Sequence, residues 1–279
     1  MPQQRRCLVI GISGQVGQAL QARLPSLGHV WGLSRQHLDE ANGIVWLTGW
    51  LQAMPPLPDG IDTILSLGPL DAFADWFDRS GLRGVRVVAL GSTGREDKRD
   101  SVDPEERGVA RRLTEAEARL FGAGQRQRSA ITLLRPTLIY GRGRDASLSP
   151  MLAMARRWGR VVLPSGATGL RQPVHVDDVA DAVLACLDCP ASQGRSFDLP
   201  GGERLEFRAM VERSLARYAP QAKLLILPRW LFRAGMVAAA AIGFRPVGPG
   251  FVDRCRRDQI ADPSPAHAVF GYQPRDFSP

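Results

Sequence analysis

Short and nearly uninterrupted apolar runs alternate with segments of helical apolar spacing through the first 200 residues of the chain. We predict strands at Cys7–Ile10, Val30–Leu33, Gly43–Leu47, Asp62–Leu67, Val85–Leu90, Ala130–Leu134 and Ser196–Pro200, separated by helices that include Gln15–Leu24 and Pro104–Phe121. Strands that are buried on both faces have continuous apolar sequences, and helices between consecutive strands are typical of parallel sheets. The pattern predicts an α/β fold, a Rossmann-type doubly wound parallel sheet of about seven strands.

The pattern changes after Tyr140. Pro150–Trp158 has helical spacing, and Val174–Leu187 is typical of a strand end followed by a helix. From Gly201 onward the sequence is Arg-rich, interrupted by prolines and predicted to be helical. We expect a cap that covers the carboxyl-terminal edge of the sheet. The predicted division is a sheet domain over 1–200, with a cap insertion at about 142–173, and a small, mainly helical C-terminal cap region over 201–279.

The composition excludes several classes of protein. The 279 residues are 44% hydrophobic and 23% charged, which is typical of a globular protein in water. No apolar run reaches the roughly 18–20 residues of a membrane span, and the longest, Ala234–Phe244, is flanked by arginines. The N-terminus leads directly into a strand-length apolar segment, without the apolar core of a signal peptide. We therefore expect a cytoplasmic protein whose four cysteines are reduced thiols.

The net charge of +8 is concentrated near the C-terminus. Between Arg204 and Arg257 there are eleven basic and three acidic residues, so the rest of the chain is close to neutral. Such a region suits a small anionic substrate or an acidic membrane surface. It lacks the interleaved aromatic residues of single-strand binders, so we expect no nucleic-acid partner. Arg229–Phe244 suits either an interfacial membrane helix or a cap helix that closes a substrate pocket or forms a homodimer contact, and we favour the second alternative.

A glycine-rich loop directly follows the first predicted strand. Gly11, Gly14 and Gly17 have the spacing Gly-x-x-Gly-x-x-Gly. The first glycine allows a tight strand-to-helix turn, the second lets the backbone approach a pyrophosphate, and the third lets helix and strand pack closely. The N-terminus of the following helix presents free N–H groups to the phosphates. The position of this loop therefore predicts a dinucleotide site rather than an ordinary turn.

The end of the second strand indicates which dinucleotide is bound. NAD-binding proteins usually have an Asp or Glu here, which accepts hydrogen bonds from the ribose 2′-hydroxyl. This chain has Ser34 and Arg35, and Asp39 is the nearest acidic residue. A guanidinium binds a 2′-phosphate through a fork of donors, whereas a carboxylate would repel it. We predict NADP rather than NAD; the alternative is that Arg35 is an ordinary surface arginine.

Further stretches carry a resemblance to a known family over nearly the whole chain. They are the glycine loop 11–17, the strand end Leu90–Gly94, the Arg-Pro and Tyr-Gly segment Leu134–Gly141, the His-Val-Asp-Asp segment Arg171–Ala180 and the ending Phe270–Pro274. The chain resembles the extended and atypical short-chain dehydrogenases/reductases, the NAD-dependent epimerase/dehydratase group. The resemblance implies a Rossmann fold, a bound nicotinamide dinucleotide and hydride transfer at a carbinol carbon.

The chain departs from this family at the residues of the chemical step. The family uses a Tyr-x-x-x-Lys pair, but the residues four positions after Tyr140, Tyr218 and Tyr272 are Arg, Ala and Asp. The similar segment has Arg107 in place of the tyrosine and Arg111 in place of the lysine. An arginine stays protonated at any working pH, so Arg107 is no proton relay. Arg111 retains the charge and the donors to bind a ribose.

The resemblance and the strand ends together select candidate site residues. Trp50 stands where the family has an adenine-binding Asp, and its ring offers a stacking surface. Ser92, Thr93 and Tyr140 are candidate catalytic residues, although the first two also suit a loop cap and the third a structural role. Arg171 corresponds to a phosphate-binding Arg of nucleotide-sugar-binding relatives and is the candidate substrate ligand, unless it is an ordinary arginine. The predicted cofactor-binding residues are Gly11, Ser13, Gly14, Gln15, Val16, Gly17, Ser34, Arg35, Trp50, Leu67, Gly68, Arg111 and Pro136.

Two other groups of polar residues are assigned to structure. Asp177 precedes a helical pattern and is predicted to be its N-cap, while His175 is expected to pack or hydrogen-bond in the core. Cys186 and Cys189 have the spacing of a redox motif, but no second pair is present to complete a zinc site. We therefore predict no metal.

Two functions remain open from the sequence. The first is an NADP-dependent oxidoreductase or epimerase-like enzyme that acts on a small anionic substrate, with Ser92 or Thr93 orienting the reacting oxygen. The second is a protein that binds NADP(H) without turnover, as a structural or sensing subunit, similar to the accessory subunit of respiratory complex I among the atypical members. The absent Tyr-Lys pair favours the second, and the preserved motifs and the cap support the first.

Overall fold

The computed structural model describes residues 4–38, 43–143, 145, 148–241 and 248–279. The strands are β1 (Arg5–Ile10), β2 (Gly28–Ser34), β3 (Ile44–Thr48), β4 (Thr63–Ser66), β5 (Arg86–Leu90), β6 (Ala130–Pro136), β7 (Ile139–Tyr140), β8 (Arg160–Pro164), β9 (Leu170–Arg171), β10 (Val174–His175), β11 (Arg195–Leu199), β12 (Leu205–Glu206) and β13 (Lys223–Leu227). The helices are α1 (Gln15–Leu20), α2 (Leu70–Arg79), α3 (Gly94–Asp97), α4 (Pro104–Arg126), α5 (Leu148–Trp158), α6 (Val176–Leu187), α7 (Phe207–Tyr218), α8 (Arg229–Ala241), α9 (Phe251–Arg254) and α10 (Ser264–Phe270).

The main sheet has seven strands in the order β3-β2-β1-β4-β5-β6-β11, and every neighbouring pair is parallel. The predicted Rossmann-type fold is therefore confirmed. The strand order reverses beside β1, where Cys7 pairs with Val30 of β2 on one side and with Thr63 of β4 on the other. In open α/β sheets, a ligand binds in the crevice outside such a reversal point, at the carboxyl ends of the strands.

Both faces of the sheet are covered, which explains the continuous apolar strands. Cys7 and Val9 of β1 belong to the core cluster that includes α1 and α6, whereas Leu8 and Ile10 belong to the cluster under α2 and α4. All four side chains are at most 3% exposed. Because successive residues of a strand point to opposite faces, a strand covered on both sides needs apolar residues at every position.

Helix α1 is shorter than the sequence predicted. It ends at Leu20, and residues Leu24–Leu27 form a separate 3-10 turn. Pro25 is the second residue of this turn, a position at the start of a helix where the missing proline N–H is tolerated. The prediction of a continuous helix to Leu24 was therefore wrong.

The cap contains a two-stranded parallel sheet that the sequence did not predict. Strand β13, in the region predicted to be helical, pairs with β8 of the predicted insertion from Lys223↔Arg160 to Leu227↔Pro164. The short strand β12 also pairs with β9. The all-helical prediction failed because Leu224–Leu227 is an apolar run of strand length bounded by Pro228, and such a run does not distinguish strand from helix. The C-terminal region is otherwise mainly helical.

The His-Val-Asp-Asp segment is structural. His175, rather than the predicted Asp177, is the N-cap of α6, and its Nδ1 accepts a hydrogen bond from the Asp177 N–H at 3.2 Å. Burial lowers the pKa of His175, which favours the neutral acceptor form that this cap requires. Asp178 is buried and accepts bonds from the backbone N–H and the Nε–H of Arg275, so it holds the C-terminal segment.

Chain ends and cap meet the sheet at several points. Ala266 of α10 and Tyr272 lie in the core cluster that contains β1 and α6, although the predicted C-terminal cap begins at residue 201.

Among the helices of the described residues, none is both long and apolar enough to cross a lipid bilayer. The division into two domains at residue 200 stays a prediction.

Candidate functional site

The glycine loop between β1 and α1 is a tight turn that larger residues would disrupt. Gly11 has φ +82°, and a Cβ there would lie 2.7 Å from the backbone N of Gly68. A Cβ on Gly17 would lie within 2.5 Å of the Ile12 backbone. At Gly14 the N–H donates to the Gly11 carbonyl at 2.9 Å, and a Cβ would meet that carbonyl oxygen alone, at 3.1 Å. A side chain at Gly14 would therefore crowd the loop itself, which favours glycine where the backbone is expected to approach a ligand closely.

A cavity of about 270 Å³ opens beside this loop at the reversal point of the sheet. The predicted cofactor residues that line it are Gln15, Val16, Leu67, Gly68 and Pro136. The Oε1 atom of Gln15 is buried and has no hydrogen-bond partner among the described residues. A buried acceptor without a partner is costly, and a bound ligand with a donor would satisfy it. The cavity beside the glycine loop and this unsatisfied acceptor fit a bound dinucleotide.

The ends of β2 and β3 form the flank of the groove where the adenosine half is expected. Ser34 is largely buried, and its Oγ accepts a bond from the Gln36 N–H at 3.2 Å. Arg35 is exposed, and no hydrogen bond or ion pair of its guanidinium occurs in the described part of the chain. Trp50 is half-exposed and held by a bridge to Ala53. Asp39, the nearest acidic residue after Arg35, lies outside the described residues.

Helix α4 places the two arginines of the altered motif away from this groove. Arg111 is 76% exposed and lies 3.7 Å from the Glu115 carboxylate. Arg107 is exposed and donates to the Ser101 carbonyl at 2.7 Å. Instead, α4 lines the groove with Leu113 and directs the buried Glu117 at the sheet. The ribose-binding role of Arg111 stays a prediction, and it requires the side chain to leave solvent.

Ser92 and Thr93 follow β5 at the ligand-binding edge of the sheet. The Ser92 Oγ accepts a hydrogen bond from the Gly94 N–H at 3.0 Å, so Ser92 caps the loop, as one of the two predicted roles required. Its own O–H is left to donate. The Thr93 hydroxyl donates to Asp97 Oδ2 at 3.3 Å, and the Thr93 N–H donates to the Pro136 carbonyl. The structure therefore joins Thr93 to a carboxylate that the sequence analysis did not select.

Asp97 is the main functional candidate that sequence reasoning missed. It ends α3, and burial raises its pKa to about 6, against the opposing influence of the Thr93 hydrogen bond and of Arg171 and Lys98. Burial also lowers the pKa of Lys98, with Arg254 adding to the effect. The sequence offered one indication of this contact, because Asp97 lies four residues after Thr93, a spacing that brings two side chains together on a helical turn. A carboxyl group with a pKa near neutrality is suited to transfer a proton.

The Arg-Pro motif has a structural function at the same edge. Glu117 is 3% exposed and accepts hydrogen bonds from Arg95 and from two nitrogens of Arg135, with Arg135 Nε at 3.0 Å. Arg135 also lies 3.7 Å from Asp198, whose pKa is raised by burial. This network joins α3, α4, β6 and β11, and it fixes the strand ends on which the candidate site is built.

Tyr140 lies in the core of the cap rather than on either of the two large cavities. Its hydroxyl donates to the Asp276 carbonyl at 3.4 Å and accepts from the Ser278 N–H at 3.2 Å. Its ring packs edge-on against His175 and Phe277. Burial raises the pKa of Tyr140. The structure therefore does not bring this hydroxyl to the groove, and its catalytic role is a prediction without geometric support.

Arg171 is buried and already well satisfied by the protein. Its guanidinium donates to the carbonyls of Leu170, Arg257 and Arg254 at 2.7–2.9 Å, and it stacks on the ring of Phe207. Burial lowers its pKa. Arg171 also lines a second and larger cavity in the cap, so a substrate there lies within its electrostatic field. Its role as a direct substrate ligand remains a prediction.

The sequence of the α4–β11 region identifies the family. Residues 108–199, which include α4, the Arg-Pro motif and the His-Val-Asp-Asp segment, match the family model described as NAD dependent epimerase/dehydratase family. About a third of the chain is therefore similar to the NAD-dependent epimerase/dehydratase family. The resemblance seen in the sequence is thereby confirmed. An NAD(P) cofactor is typical of this family.

Two curated proteins are similar in sequence to part of the chain. The mitochondrial NADH dehydrogenase (ubiquinone) 1 alpha subcomplex subunit 9 of Arabidopsis thaliana is 32% identical over 109 residues, which cover 35% of this chain and 27% of that protein. The UDP-glucose 4-epimerase of Vibrio cholerae is 24% identical over 123 residues, which cover 43% of this chain and 37% of that enzyme. The chain therefore matches only about a third of the length of these relatives.

The fold of nearly the whole chain is similar to that of solved structures. The UDP-glucuronic acid 4-epimerase of Bacillus cereus in complex with NAD has a TM-score of 0.71 at 13% identity, covering 96% of this chain and 93% of that one. The same epimerase with UDP-glucuronic acid and NAD has a TM-score of 0.69 at 14% identity and the same coverage. At 13–14% identity, the similarity shows that this chain has the same fold as those structures, and it shows nothing about the substrate of this chain.

Proposed function

We propose that this epimerase/dehydratase family member binds NADP(H) along the crevice between β1 and β4. The observation that carries the proposal is the tight glycine loop beside the cavity of about 270 Å³, where Oε1 of Gln15 is buried and has no partner among the described residues. The diphosphate would lie against the backbone of the loop at Gly11 and Gly14. Leu67, Gly68 and Pro136 would line the path of the nicotinamide half. When bound, the cofactor would supply a hydride donor or acceptor.

The preference for NADP over NAD rests on Arg35. This side chain is exposed at the end of β2, where a 2′-phosphate is expected, and no acidic partner of its guanidinium occurs in the described ranges. A free guanidinium gains charge-assisted hydrogen bonds from a phosphate without first breaking an ion pair. Trp50, on the neighbouring strand end, would stack on the adenine.

We propose that the protein is an oxidoreductase or epimerase-like enzyme that acts on a small anionic substrate. Thr93 and Asp97 form the proton-transfer group in place of the absent Tyr-Lys pair. The Thr93 hydroxyl, 3.3 Å from Asp97 Oδ2, is suited to pass a proton between the substrate oxygen and that carboxyl group. Ser92, whose O–H is left to donate, would orient the same oxygen.

A second candidate function is NADP(H) binding without turnover, as a structural or sensing subunit. Two observations favour it: Arg107 and Arg111 stand in solvent at the places of the catalytic pair, and the similar Arabidopsis protein is a subunit of NADH dehydrogenase. Both functions need the same cofactor site, so they differ in whether a hydride is transferred between the bound nucleotide and a substrate.

Calorimetric titration with NADPH and NADH tests the cofactor proposal. We expect NADPH to bind at least tenfold more tightly than NADH, because the 2′-phosphate adds charge-assisted bonds worth about 1.5–3 kcal/mol. Arg35→Ala should remove this difference, while Arg83→Ala, the loss of another exposed arginine, should preserve it. Gly14→Val should abolish binding of both nucleotides. Equal or tighter binding of NADH by the wild type would refute the NADP assignment.

Turnover then separates the two functions. Wild-type protein is incubated with NADPH and a panel of anionic carbonyl compounds, and NADPH absorbance is followed. Oxidation that is lost in Asp97→Asn, at unchanged NADPH affinity, supports the enzyme. If a protein that binds NADPH neither oxidises it with any carbonyl compound nor epimerises any anionic hydroxy compound of a second panel, the non-catalytic function replaces the enzymatic one.

A further inference from the structure

The cap encloses a large cavity that is separate from the groove at the glycine loop. Its volume is about 870 Å³, which lies in the upper part of the range for ligand pockets. Most of its lining is apolar and comes from α5, β8, α8 and α9; its aromatic residues and methionines are Met151, Met154, Trp158, Phe207, Phe232, Met236 and Phe251. Methionine side chains are flexible and adapt to apolar ligands of different shapes.

Helix α8 directs an apolar face at this cavity instead of at a packed core. Leu231, Phe232, Gly235, Met236 and Ala239 line the cavity, and their spacing is that of one helical face. No residue of this fully described helix is buried. On its outer side, Trp230 and Val237 are each 72% exposed. Phe232 stacks on Phe251, and the other residues of this apolar face line the cavity, where an apolar ligand would cover them.

The charged residues of the lining are all cations. They are Arg160, Arg171 and Arg254, and no carboxylate belongs to the described lining. Arg171 is engaged by backbone carbonyls and Arg254 by the Glu106 carboxylate. Arg160 differs, because its guanidinium has neither a hydrogen bond nor an ion pair within the described chain and is exposed at the cavity. An anionic group would find an unpaired partner there.

The cavity and the groove of the proposed cofactor are adjacent along the chain. Leu138 lines the cap cavity, while Pro136 and Ile139, on either side of it, line the groove. A molecule held in the cap cavity therefore lies on the other side of the segment that follows β6. A long ligand would extend from the cap towards the strand ends that carry Thr93 and Asp97.

We infer that the cap cavity binds an amphiphile that has a flexible apolar chain and an anionic headgroup. A nucleotide sugar suits this lining poorly, since its base and hydroxyl groups need several neutral hydrogen-bond partners and Gln259 is the one side-chain amide among the described lining residues. That this amphiphile is also the substrate rests on the proposed function, whereas its binding does not. The chain is buried between α5 and α8, and the headgroup pairs with Arg160.

Isothermal titration of the nucleotide-free wild-type protein with octanoate, decanoate and dodecanoate tests the inference, because it needs no variant. Each methylene group that enters an apolar site strengthens binding by about fourfold, so we expect the Kd to fall about tenfold or more for each pair of methylenes. A Kd that does not depend on chain length would overturn the inference. Tighter binding of UDP-glucuronic acid than of dodecanoate would overturn it as well.

Matched variants locate the ligand. Gly235→Trp fills the cavity without a clash, since a Cβ at Gly235 has no atom within 4 Å, and should weaken dodecanoate binding at least tenfold. Ala238→Trp adds the same ring to an exposed position of α8 outside the lining and should leave the Kd unchanged. Equal effects of the two substitutions, in variants with wild-type melting temperatures, would place the ligand elsewhere and refute the inference.

The headgroup is tested by replacing decanoate with decanol. We expect decanol to bind the wild type at least fivefold more weakly, and Arg160→Ala to remove this difference, whereas Arg157→Ala, an exposed arginine outside the lining, should preserve it. Decyl phosphate in place of decanoate distinguishes a phosphate from a carboxylate headgroup. Because every titration is done without nucleotide, failure to bind NADPH leaves these results unaffected, and NADPH binding without amphiphile binding refutes this inference alone.

Discussion

At the scale of single residues, the candidate site depends on polar groups that the protein leaves only partly satisfied. Arg35 and Oε1 of Gln15 have no partner among the described residues, and the partly buried Asp97 accepts a hydrogen bond from Thr93. By contrast, Arg171 and Tyr140 were equally prominent in the sequence, but their polar atoms are bonded to backbone groups of the cap. A side chain whose donors and acceptors are satisfied internally has to give up those bonds before it binds a ligand.

The raised pKa of Asp97 predicts a pH dependence of stability at this residue. Because burial raises the pKa from 3.8 to about 6, the folded state binds the Asp97 proton more tightly than the unfolded state does. Asp97 therefore reduces stability progressively as the pH rises from about 4 to 6, and fully above that range. We expect Asp97→Asn to be more stable than the wild type by about 1 kcal/mol at pH 7, after allowance for solvent screening, and equally stable at pH 4.

Urea unfolding at pH 4, 5, 6 and 7 measures this difference. Asp100→Asn is the control, because its carboxylate is 75% exposed and should follow the wild-type curve. A constant difference between Asp97→Asn and the wild type over this range would show that Asp97 titrates normally, and its assignment to proton transfer would lose its electrostatic basis.

At the scale of secondary-structure elements, one half-buried arginine joins the edge of the sheet to helix α6. Arg86 begins β5, and its guanidinium donates to the carbonyls of Val87, Ala130 and Cys186 and to the hydroxyls of Thr132 and Ser192 at 2.7–3.0 Å. Burial lowers its pKa. The five-donor fork of arginine satisfies acceptors on three elements at once, which a lysine does not.

We expect Arg86→Ala to lower the free energy of unfolding by about 3 kcal/mol, because it leaves several buried acceptors without donors. Arg86→Lys should recover only part of this loss. Chemical denaturation with urea gives the values, and Arg83→Ala, which removes an exposed arginine three residues earlier, should change stability by less than about 0.5 kcal/mol. A loss below 1 kcal/mol for Arg86→Ala would mean that water replaces the guanidinium at these acceptors.

At the scale of the whole molecule, the C-terminal segment secures the cap to the sheet. After the cap helices, the chain returns to the main core through Ala266 and Tyr272. The Tyr272 hydroxyl donates to the Pro200 carbonyl at 2.8 Å, and Phe277 packs against Tyr140. The excess positive charge lies in the region that precedes this return, between Arg204 and Arg257.

We expect Tyr272→Ala to destabilise the protein by about 3–4 kcal/mol, because it removes a buried aromatic ring from the core. Tyr272→Phe should cost about 1 kcal/mol through the lost hydrogen bond to Pro200. Tyr218→Ala is the matched control, since Tyr218 is 41% exposed and should cost less than about 1 kcal/mol. Thermal unfolding followed by circular dichroism checks the order. Equal effects at the two tyrosines would contradict the anchoring role of the segment.

The sequence alone was sufficient for the sheet, the family and the glycine loop. A strand that is covered on both faces must be apolar at every position, and a turn as tight as that at Gly11 excludes side chains, so both constraints appear directly in the order of residues. Because these constraints are local or periodic, they can be recognised from the amino-acid sequence alone. The helix-cap assignment of Asp177 failed by two residues because histidine and aspartate both offer an acceptor there.

Only the tertiary structure decided which polar residues are free to act. The pairing of β8 with β13 joins segments about 60 residues apart in the chain, and the cap cavity exists because α5 and α8 face each other across a gap. Whether Asp97 is shielded from water or Arg171 is satisfied by carbonyls depends on such distant neighbours. Burial and hydrogen-bond partners are properties of the packed chain, and no spacing of residues along the sequence encodes them directly.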